Sequence, residues 1–130
     1  GKIDNITIGR TDLSRSYFED SVKPDSPFIL DLIERLSCKV QASGMTLTLG
    51  GSINNESIRL LNERKSGIQG KFLSIETRKV VLPLDEMLKQ KGALKESLCF
   101  EELYLSHKLA CEAWLSEADQ ERLTKLKMRL

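Results

Sequence analysis

The sequence predicts an α/β fold in which parallel strands are joined by helical crossovers. Three observations carry this. Short apolar runs end at Gly9 and at Gly50-Gly51, and a third run covers Lys71 to Ile75. Apolar residues at helical spacing fill the intervals between these runs. The resulting order, strand–helix–strand–helix–strand–helices, is that of parallel strands with helical crossovers.

The first run, Ile3 to Ile8, alternates apolar and polar residues and stops at Gly9, as a short buried strand does. Residues 10–25 are polar, contain Pro24 and read as a loop with one helical turn. Ser26-Pro27 then starts a helix, with Ser as N-cap and Pro at the first position, where its missing N–H costs nothing. Phe28, Ile29, Leu32, Ile33, Leu36 and Val40 form its apolar stripe, and Gly44 ends it.

Met45 to Leu49 is the second strand. Asn54 or Asn55 caps the next helix, whose apolar face is Ile58, Leu60 and Leu61 and whose end is Gly67. The third strand runs from Lys71 through Ile75 to Glu76. The following run, Val80-Val81-Leu82 to Pro83, leaves its C-terminal boundary soft. The remainder reads as helices over Leu84 to Gln90, over Leu94 to Leu115, and from Ser116, with a weak capping box to Asp119, onward to Leu130. Pattern alone leaves two architectures open, a segment of barrel wall and a small open sheet.

Composition narrows the function classes. The chain has 130 residues, enough for one core, with 40% hydrophobic and 30% charged residues and a net charge of +1. That charge balance gives no reason to expect nucleic acid or an acidic membrane surface as a partner. No run approaches the roughly 18 apolar residues of a membrane span. The strand alternation begins almost at Gly1, which points to a fragment. Cys38, Cys99 and Cys111 match no zinc or redox spacing. Cys38 and Cys99 lie at apolar-periodic positions, so buried, reduced thiols in a cytoplasmic protein are expected. His107, alone in a helical pattern, reads as a surface or structural residue.

Chemistry in parallel β/α folds gathers at the C-terminal ends of strands. Gly9-Arg10-Thr11-Asp12, Gly50-Gly51 and Glu76-Thr77-Arg78-Lys79 occupy those ends. Asp12 is a hard oxygen donor suited to magnesium or manganese. Arg10 and Arg78 are fork donors for a carboxylate or phosphate. Gly50-Gly51 lets backbone N–H groups approach an anion. Each feature also has a structural reading: a local cap at Asp12, a plain turn at Gly50-Gly51, an ion pair of Glu76 with Arg78.

Taken together, ITIGRTDLSRS, MTLTLGGSIN and IETRKVVLP resemble the closing part of the aldolase/citrate lyase family, which includes 2-oxo-acid aldolases and the citrate lyase β subunit. The resemblance covers residues 3–83. It implies the last three parallel strands of a (β/α) TIM-type barrel in residues 1–83, and in residues 84–130 a helical extension packing on the barrel or on a partner subunit. It implies that Asp12 binds a divalent metal, Mg or Mn, with a glutamate from the preceding strand. That metal would stabilise an enolate during carbon–carbon cleavage or formation on a 2-oxo acid or acyl-CoA-type substrate. Gly9, Arg10, Thr11, Gly50, Gly51, Glu76 and Arg78 would face this small anionic substrate.

The family's partner glutamate, its enolate-holding arginine and its acid/base residue belong to earlier strands. Three strands also leave two raw edges. The chain alone is therefore expected to be inactive, to bind little metal, and to self-associate or join the missing barrel portion. A non-catalytic α/β assembly module and a small anion-binding domain are the alternatives.

Overall fold

The computed structural model describes residues 2–68 and 73–129. Its elements are β1 (Asn5–Gly9), α1 (Arg10–Arg15), α2 (Pro27–Ala42), β2 (Thr46–Gly50), α3 (Asn55–Glu63), α4 (Lys65–Ile68), β3 (Leu73–Glu76), β4 (Val81–Pro83), α5 (Leu84–Lys89) and α6 (Ala93–Lys127). The expected start of the third strand at Lys71 lies outside the described residues, as does the helix end at Leu130.

The sheet order is β1-β2-β3-β4. β1, β2 and β3 are parallel, with Ile6 opposite Leu47 and Leu49 opposite Ile75. The expected α/β class and parallel trio are present. The single soft-ended third strand is not: the chain turns at Thr77–Lys79, and β4 returns antiparallel, Ile75 opposite Leu82. Thr77 N–H donates to Val80 O at 2.9 Å, and Arg78 sits at φ 62°. The sheet is therefore mixed.

One face of the sheet is apolar. Leu47, Leu49, Leu73 and Ile75 are buried with Ile29, Leu30 and Ile33 of α2, with Leu61 and Ile68, and with Leu84 and Met87 of α5. Because strand side chains alternate, the residues between them face the other way. Those are Asn5, Thr7, Thr46, Thr48, Ser74 and Glu76, all polar. Asn5 Nδ2 donates to Thr46 Oγ1 at 2.8 Å and to Thr48 Oγ1 at 3.1 Å, so this face carries its own hydrogen-bonded ladder. Ile6 is 36% exposed and Ile3 66%, which corrects the reading of the first run as a buried strand. β1 is an edge, and its apolar side lies beyond the helices that cover β2 and β3.

Other local expectations divide. Asn54 caps α3 in a full capping box, accepting from Ser57 N–H at 3.0 Å while Ser57 Oγ accepts from Asn54 N–H at 3.3 Å. Asn54→Ala is expected to cost about 1 kcal/mol in denaturant unfolding. Ser26 stands at the N-cap of α2, but its side chain makes no cap bond and its buried Oγ has no partner among the described residues. Gly44 follows α2 at φ 72°, as a helix-ending glycine should. Gly67 does not end α3; it lies within α4.

Ser116 does not start a new helix either: α6 continues for 35 residues, because Ala113-Trp114-Leu115-Ser116 contains no residue that interrupts helical hydrogen bonding. Cys38, Cys99 and Cys111 are free and all exposed, contrary to the buried thiols expected. On α2 the buried line passes through Ile33, Ser37 and Val40, and Cys38, one residue past Ser37, falls outside it. No helix among the described residues is long and apolar enough to cross a membrane.

Candidate functional site

The C-terminal rim of the sheet is where β1, β2 and β3 deliver Gly9, Gly50 and Glu76. Gly9 pairs with Gly50, and the register that sets Leu49 beside Ile75 places Gly50 beside Glu76. Adjacent strands lie about 4.8 Å apart, so these residues form one short row.

Both glycines leave room for a carboxylate on the polar face. A Cβ built on Gly9 would lie 3.2 Å from Asp12 Oδ2, and one built on Gly50 would lie 3.5 Å from Glu76 Oε2. Register-paired positions in parallel strands point to the same face. Asp12 and Glu76 thus lie over neighbouring strand ends, on the face opposite the hydrophobic core. Asp12 is exposed in the first turn of α1, where a negative charge is favoured by the helix dipole. Glu76 is half-buried.

The expected cationic donors go elsewhere. Arg10 is fully buried. Its Nε donates to Gly50 O at 3.3 Å, and its Nη2 to Gly51 O at 2.8 Å and Ser57 Oγ at 3.2 Å. Its Nη1 forms an ion pair with Asp25. Burial pushes the Arg10 guanidinium down from its ordinary value, and the charge of Asp25 offsets part of that cost. Arg10 is an internal strut rather than a fork open to a ligand. Arg78, at the hairpin tip, has a side chain 83% exposed and reaches Glu101 of α6 at 3.7 Å. Beside it, Lys79 Nζ lies 3.8 Å from the centre of the Tyr104 ring. The hairpin tip therefore holds the start of α6.

Gly51 and Thr11 meet directly. Gly51 has φ 86°, and a Cβ there would fall 2.7 Å from Thr11 N and 2.9 Å from Arg10 N. The turn after β2 is docked on the first residues of α1. Thr11 Oγ1 lies 3.0 Å from Ser52 Oγ across the same contact. The space that a side chain at Gly51 would need is thus filled by the start of α1.

Asp25 and Ser57 are the site-bearing residues that sequence reasoning did not single out. Ser57 is fully buried; its Oγ donates to Asp25 Oδ2 at 2.9 Å and accepts from Arg10 and from Asn54 N–H. This network fastens the end of β1, the loop before α2 and the start of α3 to one another. The signal available in sequence was slight: an Asp directly before the Ser-Pro helix start.

An open cleft of about 750 Å³ runs beside α1, lined by residues that include Thr11, Arg15, Glu19, Asp20, Lys23 and Asp25. It contains neither Asp12 nor Glu76, and its charges are mixed, so it does not define an anion site. Among the described residues no group of three His, Cys, Asp or Glu side chains is placed to hold a metal. Asp12 and Glu76 are two carboxylates, fewer protein donors than a magnesium or manganese ion takes up. No family model, no curated protein and no solved structure matches this chain.

Proposed function

We propose that this chain is the closing segment of a divalent-metal-dependent carbon–carbon lyase or aldolase with a TIM-type barrel, and that Asp12 is one of its metal ligands. The observation that carries the reading is the pair of carboxylates, Asp12 and Glu76, set over adjacent glycine-ended strands on the polar face. The sheet supports it. β1, β2 and β3, parallel and in sequential order with core and helices on their apolar side, are compatible with a segment of barrel wall, to which the antiparallel β4 is an addition.

Electrostatics sharpens the reading. Arg10 is neutralised internally and Arg78 faces α6, so neither brings an anionic substrate to the rim. A keto acid approaching two carboxylates needs a cation between, and Mg or Mn supplies Lewis-acid stabilisation of negative charge on its oxygen. Asp12 would hold that ion, Glu76 would add negative charge on the neighbouring strand end, and Gly9 and Gly50 would keep the floor clear for the substrate.

Manganese titration of the intact enzyme that this chain would close, in the presence of oxalate and read by electron paramagnetic resonance, tests this. Binding is expected to weaken about tenfold in Asp12→Ala, a loss of about 1.4 kcal/mol. Equal binding by the two proteins would sink the reading. The alternative of a non-catalytic assembly module draws its support from a different observation, the exposed length of α6.

A further inference from the structure

We draw no further inference here: the strongest candidate, the apolar side of α6 left exposed from Leu98 to Leu126, carries nothing, because nothing in the structure shows what covers it.

Discussion

Asp25→Ala should destabilise the chain by about 3 kcal/mol and lower Tm by about 10 °C, because it leaves a buried guanidinium without its counter-ion. Arg10 is fully buried while the Asp25 side chain keeps 24% exposure, which places the cost at the lower end of the range for broken buried pairs. The remaining partners of Arg10 are two carbonyls and the Ser57 hydroxyl, which are dipoles without net charge. Arg59→Ala is the control: Arg59 pairs with Glu56 and Glu63, but all three side chains are more than half exposed, and Tm should hardly move. In an Arg10→Met background, Asp25→Ala should cost much less, since the charge it neutralises has gone. A loss at Asp25 no greater than that at Arg59 would show that Asp25 is not what makes the buried arginine tolerable.

The same network separates the place of Arg10 in the sequence from its place in the fold. An arginine just after a strand-ending glycine looks like a ligand donor, because in this fold class that position opens onto the rim. What turns it inward is an acid fifteen residues later in an irregular loop, and a serine that serves as the capping-box residue of another helix. Neither partner belongs to a local pattern. The strands were legible for the opposite reason. Thr46–Gly50 and Leu73–Glu76 carry their alternation within four or five residues, and helices of ordinary spacing separate them.

The hairpin at Thr77–Lys79 escaped because its turn contains no Gly, Asn or Pro. Arg78 adopts the left-handed conformation itself, and sequence rules assign that conformation to other residues. At α6, Ser116 and Asp119 supplied a start signal that the unbroken helix on either side overrode. Asp12 and Glu76 were visible as acids at strand ends. Their shared face follows from the pairing of Gly9 with Gly50, which only the sheet register reveals.

Gly51→Ala should cost about 3 kcal/mol and disturb the rim with it. About 1–2 kcal/mol is the strain of an alanine held at φ 86°, and the rest is overlap with the start of α1, where a Cβ would fall 2.7 Å from Thr11 N. That neighbour is backbone, so it yields only if the helix moves. Gly44→Ala separates the two contributions: Gly44 has φ 72° with nothing within 4 Å, so it should cost about 1 kcal/mol. The two substitutions should also part company in manganese binding with oxalate by the intact enzyme. A displaced α1 carries Asp12 away from Gly9, so Gly51→Ala should weaken binding beyond the level of Gly44→Ala, which lies at the opposite end of β2. Equal unfolding costs for the two variants would mean that α1 does not rest on Gly51 as the structure has it. A selective loss at Gly51 would tie the stability of the turn to the placement of the carboxylate.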